Sequence, residues 1–234
     1  HMARRGLQTH CGAAAAARGA TAPHLAEGEG GGREMAERIV AERDEALRRA
    51  EQEVRFATDH AIRIYTLADS DYPNRLRACL DAPQVIYYRG TADLNVARIV
   101  SIVGTRRCSD SGTNLATRIV EELAATDASI VIVSGLAYGI DVCAHRAALR
   151  TGLPTVGVLA HGLDRIYPAT HRATAADMAL RGGLLTDYPS GTNPVPENFL
   201  RRNRLIAALA DATVIIESPV RSGALSTAAY AQGY

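Results

Sequence analysis

From residue 98 onward, short runs of Val and Ile alternate with longer stretches in which apolar residues recur every three or four positions. The runs at 98–103, 130–133, 155–159, 184–186 and 213–217 are too short for helices and too continuously apolar for a half-solvated sheet. They predict strands buried on both faces. Between them, Leu115, Ile119 and Leu123 mark one face of a helix over 110–125. Further helices are predicted at 140–149, 171–180, 198–210 and from 223 to the end. Five consecutive strand-helix units predict the α/β class: a Rossmann-like, doubly wound parallel sheet with helices on both faces. Upstream, Ile62, Ile64 and Leu67 alternate along a short strand, Asp-Ser-Asp-Tyr-Pro at 69–73 reads as a turn, and 85–88 predicts a second strand leading into the main sheet.

Residues 3–60 follow another pattern and predict a small all-helical domain, leaving 61–234 as the Rossmann-like one. An alanine tract at 13–17 and a glycine cluster at 28–32 precede a charged segment in which Met35, Ile39, Ala46, Ala50 and Val54 recur at helical spacing. That spacing predicts an amphipathic helix of about six turns from Arg33. The glycine-rich turn between Leu25 and Met35 reads either as the hairpin of a helix-hairpin-helix, whose amides can hold a DNA phosphate, or as a loop joining two packed helices. The opening His1-Met2 has the look of an expression-vector remnant and is set aside.

No window approaches the roughly 18 consecutive apolar residues of a membrane span, and the N-terminus lacks a signal pattern, so a cytoplasmic protein is expected. Cys11, Cys79, Cys108 and Cys143 are scattered without metal-ligand spacing, which predicts reduced, partly buried thiols rather than a zinc site or a disulfide framework. The formal net charge of +1 means that binding to a polyanion must rest on a local patch. All 26 basic residues are arginine, whose planar fork bonds phosphate bidentately, although a codon bias toward arginine explains the count equally well.

In a sheet of this kind, ligands bind beyond the carboxyl ends of the strands. Ile-Val-Ile-Val-Ser-Gly-Leu-Ala-Tyr-Gly-Ile-Asp-Val-Cys-Ala-His at 130–145 runs from a strand through a glycine-flanked turn into a helix, aiming backbone N–H groups at an anion. Gly104, Thr105, Arg106 and Arg107 follow the preceding strand, His161 to Asp164 and Asp187 to Pro189 follow later ones, and Glu217 with Ser222 and Gly223 follow the last. All of these segments are expected at one crevice. There is no Gly-x-Gly-x-x-Gly, so no dinucleotide cofactor is expected. Asp141 and His145, four apart on one helical face, read either as an acid/base pair or as supports for the turn. Arg201, Arg202, Asn203 and Arg204 spread around a helix, so some face inward and need a carboxylate such as Glu217 or Asp187, or a ligand phosphate.

These residues, in this order, resemble the DNA-processing protein A family, also called DprA or Smf. The resemblance lies in Asp71-Tyr72-Pro73 with Leu76, Pro-Gln-Val-Ile-Tyr-Tyr-Arg-Gly at 83–90, Ile-Val-Gly-Thr-Arg at 102–106 and Val-Ser-Gly-Leu-Ala-Tyr-Gly-Ile-Asp at 133–141. It continues through Ala144-His145, Gly162-Leu163-Asp164, Tyr167-Pro168, Asn198-Phe199, Arg202-Asn203-Arg204, Ser222-Gly223 and Thr227-Ala228. The resemblance implies a non-enzymatic, homodimeric protein that binds single-stranded DNA entering the cell in natural transformation, shields it and helps load the recombinase RecA. It implies phosphate binding by Gly104, Thr105 and Arg106, a second glycine turn at Ser134, Gly135 and Gly139, and a third contribution from Arg202, Asn203 and Arg204. Arg107, Tyr138, Arg172, Ser222 and Gly223 complete the expected DNA-binding set, with no catalytic residue, metal or cofactor. The family's asparagine after Tyr167-Pro168 is replaced here by Thr170-His171-Arg172, and lysines of some relatives are arginine or absent. The chain stops at Tyr234, short of the Val-Phe-Ala-Val-Pro-Gly-like strand and winged helix of family members, so either the chain is cut short or the sheet loses an edge strand. The main rival is an enzyme of the related phosphoribohydrolase type, but Pro-Val-Arg-Ser-Gly-Ala-Leu-Ser-Thr at 219–227 lacks the glutamate of that group's Pro-Gly-Gly-x-Gly-Thr-x-x-Glu motif.

Overall fold

The computed structural model describes residues 33–219 and 222–234, and the chain divides into two compact units, 1–59 and 60–234. The described part of the first unit is one helix, α1 (Arg33–Asp59), over the segment where helical spacing is read in the sequence. The alanine tract and the candidate glycine hairpin at 28–32 lie outside the described residues. No helix among the described residues is long and apolar enough to cross a membrane.

The second unit runs β1 (Arg63–Thr66), α2 (Asn74–Ala78), β2 (Val85–Gly90), β3 (Ile99–Gly104), α3 (Asp110–Thr126), β4 (Val131–Ser134), α4 (Ile140–Thr151), β5 (Thr155–Val158), α5 (Arg172–Arg181), β6 (Gly183–Thr186), α6 (Pro196–Ala208), β7 (Ala212–Ile216) and α7 (Gly223–Gly233). The seven strands form one sheet in the order β1-β2-β6-β5-β4-β3-β7. β6, β5, β4, β3 and β7 are mutually parallel, whereas β1 and β2 extend the sheet antiparallel beyond β6.

The continuous apolar runs of the parallel strands are explained by two cores, one on each face. Along β4, Val131 and Val133 point into a cluster with Leu205 and Ile206 of α6 and Leu209 just after it, while Ile132 points the other way, among Ala116 and Val120 of α3 and Ala144 and Ala147 of α4. Successive side chains of a strand face opposite sides, so a strand covered on both sides is apolar at nearly every position, and its buried hydroxyls, such as Ser134 and Thr155, are bonded to backbone carbonyls. A third cluster joins Leu149 of α4 to Ala175 and Met178 of α5.

The chain steps from β3 through β4 and β5 to β6, then returns to place β7 beside β3. β3 leads into α3, which packs with α4, whereas β7 leads into α7, which packs with α6 on the opposite core. Neighbouring strands whose connections leave to opposite faces open a crevice between their carboxyl ends. In this molecule the crevice lies at the ends of β3 and β7.

Candidate nucleic-acid interface

A cavity of about 510 Å³ occupies that crevice. Gly104, Thr105 and Arg106 line it from the end of β3, Ala137 and Asp141 from the β4–α4 turn, and Ser222, Gly223 and Ala224 from the start of α7. Phe199, Arg202, Asn203 and Ile206 line it from α6. Their spacing of three and four residues is one face of a helix. Pro194, just before α6, and Pro196, its first residue, also line the cavity, and the proline in the first turn loses no intrahelical bond because that N–H has no partner there.

Arg202 forms the base of the cavity. It is 3% exposed, and its Nη1 donates to the carbonyl of Gly135, at 2.9 Å, and to that of Val158. Its Nε donates to Oδ1 of Asn203 at 3.3 Å. One side chain thus braces α6 against the ends of β4 and β5. Burial lowers the Arg202 pKa to about 10, against the pull of Asp141 and with a further push from Arg106, so the group remains a cation at neutral pH. Gly135 is needed here for space: a Cβ on it would stand 2.6 Å from Nη2 of Arg202 and 2.7 Å from Oδ2 of Asp141.

The buried Asp141 carboxylate accepts hydrogen bonds from the amides of Gly135, at 3.1 Å, and Ala137, at 3.4 Å. Burial pushes its pKa up, while Arg202 and these amides pull it down. His145 is fully buried one turn later. Its Nδ1 faces Oγ1 of Thr155 at 2.7 Å, and because that hydroxyl donates to the carbonyl of Ile132, Nδ1 is the protonated nitrogen. Burial lowers the His145 pKa to about 3, so the ring is neutral. Of the two sequence readings, the pair therefore takes that of supports: Asp141 closes the turn and His145 ties α4 to β5.

The helix N-terminus behind this turn is less open than the sequence suggests. The amides of Gly135 and Ala137 go to Asp141, and that of Ile140 donates to the Thr105 carbonyl at 3.2 Å. Gly139, at φ +78°, lets the two loops touch, since a Cβ there would collide with the Thr105 carbonyl. The turn thus holds the Thr105–Arg106 loop in position more than it presents amides of its own.

Arg106 is exposed, and its guanidinium lies 5.4 Å from the Phe199 ring centroid; that of Arg202 lies 5.8 Å from the same centroid. Tyr167, 47% exposed, packs on Phe199 at 5.9 Å between centroids and completes an aromatic rim. At the far wall the Asn203 amide donates to the Gly223 carbonyl at 2.9 Å and to the Ser226 hydroxyl at 3.0 Å, fixing the start of α7.

Of the expected set, Gly104, Thr105, Arg106, Arg202, Asn203, Ser222 and Gly223 meet at the cavity. Ser134 does not: it is fully buried, and its hydroxyl donates to the Ile102 carbonyl at 2.6 Å. Arg204 turns away to Asp187, at 2.6 Å, and to the Asp81 carbonyl, at 2.7 Å. Glu217, expected at the crevice as a counter-ion, instead accepts from the Ser109 amide at 2.8 Å and from its hydroxyl, capping α3; these bonds hold its carboxyl below the usual range. His161 to Asp164 and Asp187 to Pro189 also lie outside the cavity lining. Arg107 and Arg172 are exposed beyond it, and Tyr138 packs edge-on against His171 at 5.1 Å. Phe199 is missing from the expected set. Its helical spacing with Arg202, Asn203 and Ile206 is the signal that finds it.

Residues 63–234 match the sequence model of the family described as DNA recombination-mediator protein A. The chain is 39% identical over 214 residues to a putative DNA processing protein DprA of Mycobacterium tuberculosis, covering 86% of this chain and 54% of the relative. It is 36% identical to the DNA processing protein DprA of Streptococcus pneumoniae over 70% of this chain and 57% of the relative. It spans about half the length of the curated relatives it matches. Among solved structures, DprA from Streptococcus pneumoniae superposes with a TM-score of 0.69 at 35% identity, covering 74% of this chain and 60% of that one. DNA processing protein A from Helicobacter pylori, in a structure concerned with its single-stranded DNA binding mode, superposes with a TM-score of 0.66 at 32% identity, covering 74% and 77%. With a family match over 63–234 and this shared architecture, the chain belongs to the DNA recombination-mediator protein A, or DprA/Smf, family.

Proposed function

We propose that this protein binds single-stranded DNA in the crevice between the ends of β3 and β7 and breaks no bond in it. The observation that carries the reading is the convergence of Arg106 and Arg202 on Phe199 beside an open cavity. The exposed Arg106 guanidinium can hold a phosphate oxygen, the buried Arg202 adds a fixed positive charge beneath it, and the aromatic ring can take a base, the combination that single strands require and a duplex withholds. The single-strand binding of the Helicobacter pylori relative supports it. The internal commitments of Asp141 and His145 also favour holding over catalysis, because neither is poised to move a proton on a ligand.

In this reading Gly104, Thr105 and Arg106 take one phosphate, and the start of α7 at Ser222 and Gly223 takes a neighbouring one through its amides. Arg202 supplies a fixed positive charge beneath them. Tyr138, Arg107 and Arg172 extend the path outside the cavity, while Ser134, Gly135, Gly139 and Arg204 hold its walls. Family membership supports the wider proposal that the protein works in the cytoplasm as a homodimer, shields DNA during natural transformation and helps load RecA onto it.

Fluorescence anisotropy with a labelled oligothymidylate, competed by unlabelled single strand or duplex, tests the core of this. Single strands are expected to compete at least about tenfold better than duplex, with affinity falling as salt rises. Equal competition, or release of base from nucleoside monophosphates by the purified protein, overturns the reading.

A further inference from the structure

Outside the cavity, the first turns of α3 and α4 bring two thiols together. Cys108 immediately precedes Ser109, the N-cap of α3, and Cys143 lies in the first turn of α4. The Cys108 sulfur is 3.3 Å from Oγ1 of Thr113, and the Cys143 sulfur is 3.9 Å from the same atom. The two sulfurs thus share one neighbour, the Thr113 hydroxyl. Both residues are half-buried against the cluster formed by Ala116, Ile140 and Ala144, and neither is bonded to another cysteine. The Cys79 sulfur lies apart, donating to the Arg75 carbonyl at 3.4 Å.

The geometry points to Cys108 and Cys143 as a reversible redox pair that closes to a disulfide and staples the Arg106 loop onto α4. Arg106 stands two residues before Cys108, and the same loop already touches α4 where the Ile140 amide donates to the Thr105 carbonyl. A bond at Cys143 adds a second, covalent point of attachment one turn further along. Both sulfurs reach the Thr113 hydroxyl, and closing the bond requires them to turn from it toward each other, to an S–S distance of about 2.05 Å.

The oxidant is hydrogen peroxide. One thiolate attacks the peroxide, its O–O bond breaks, hydroxide leaves, and that sulfur becomes a sulfenic acid. The second thiolate attacks the sulfenic sulfur, the S–S bond forms, the S–O bond breaks, and hydroxide leaves again. The two thiol protons convert both hydroxides to water. Two sulfurs lose two electrons in all, and one peroxide is reduced to two waters; a dithiol reductant reverses the bond by exchange.

The test is a peptide map of the full chain after hydrogen peroxide and alkylation. It is expected to yield the Cys108 and Cys143 peptides joined and two hydrogens lighter, to revert with dithiothreitol, and to accompany a rise in Tm of about 5 °C or more. Cys108→Ser and Cys143→Ser are each expected to abolish the joined peptide and the rise. Recovery of both cysteines alkylated or as separate sulfinic acids overturns the inference, as does pairing of either with Cys11 or Cys79. Should a serine variant fail to fold, the map of the unaltered chain decides alone.

Discussion

Two arginine-bearing segments approach the same cavity and put their charge to opposite uses. In the loop after β3, Arg106 is exposed and its guanidinium lies against the Phe199 ring. In α6, Arg202 is buried on two carbonyls beside Asp141, and Arg204 is paired with Asp187. The difference follows from geometry: a loop can point several residues at solvent, whereas a helix turns each successive side chain by about 100° and so sends neighbours to different surroundings. Charge open to a ligand is therefore found on the loop, and charge that shapes the site is found on the helix. A dense basic cluster in sequence is a weak guide to which arginines meet phosphate.

The sharpest way to break this contrast is to remove the buried cation. Arg202→Ala leaves the Gly135 and Val158 carbonyls without a donor and Asp141 without its neighbouring positive charge. A loss of roughly 3–5 kcal/mol in urea denaturation is expected, and Arg202→Lys should recover little of it because a point charge cannot reach both carbonyls. A loss below about 1 kcal/mol would mean that Arg202, like Arg106, serves the ligand alone.

The buried side of the contrast also predicts a dependence on pH. His145 is held neutral in the fold, with its pKa lowered to about 3 from 6.5, and burial lowers that of His161 in the same direction. The unfolded chain takes up these protons first as pH falls below about 6.5, so the stability they contribute is complete above that pH and lost progressively toward pH 3. Each such group adds a slope of at most about 1.4 kcal/mol per pH unit within that window. His145→Asn keeps a donor for Thr155 without titrating, so its stability should fall with a slope shallower by about one proton. An unchanged slope, measured by denaturation across that range, would remove His145 from the account.

The fold was legible because strands covered on both faces leave a nearly unbroken apolar signature, as in Ile130 to Val133, and because β3, β4, β6 and β7 end at or within a residue of glycine, serine or a charged side chain. The antiparallel pairing of β2 with β6 was not, since a strand's own sequence does not name its neighbour across the sheet. The site was half legible. Gly104, Thr105 and Arg106 sit just beyond a strand end, where backbone direction alone places them at the crevice. Ser134 sits at an equivalent place, yet its hydroxyl turns back to the Ile102 carbonyl, a choice made by the neighbouring strand. Glu217 looked like a partner for arginine, but the Ser109 amide and hydroxyl at the start of α3 hold it instead. In each miss, the deciding partner lies on a distant stretch of chain.

The smallest effects test the open side of the contrast, where Arg106 and Arg107 are adjacent in sequence and both exposed. Only Arg106 lines the cavity and faces Phe199. Arg106→Ala is expected to weaken single-strand binding about tenfold and to reduce the slope of log affinity against log salt by about 0.7, the value for one phosphate on a single strand. Its stability should stay within about 0.5 kcal/mol of the parent, because an exposed side chain away from caps and cores contributes little to folding. Arg107→Ala should leave stability equally untouched and weaken binding by no more than about threefold, since its charge acts on the strand only through solvent. Anisotropy titrations at three salt concentrations separate the two. If Arg107→Ala matched Arg106→Ala in both affinity and slope, the cavity would be incidental and the loop would act as a diffuse basic surface; if only Arg106→Ala changed the slope, one phosphate would be assigned to the guanidinium that faces Phe199.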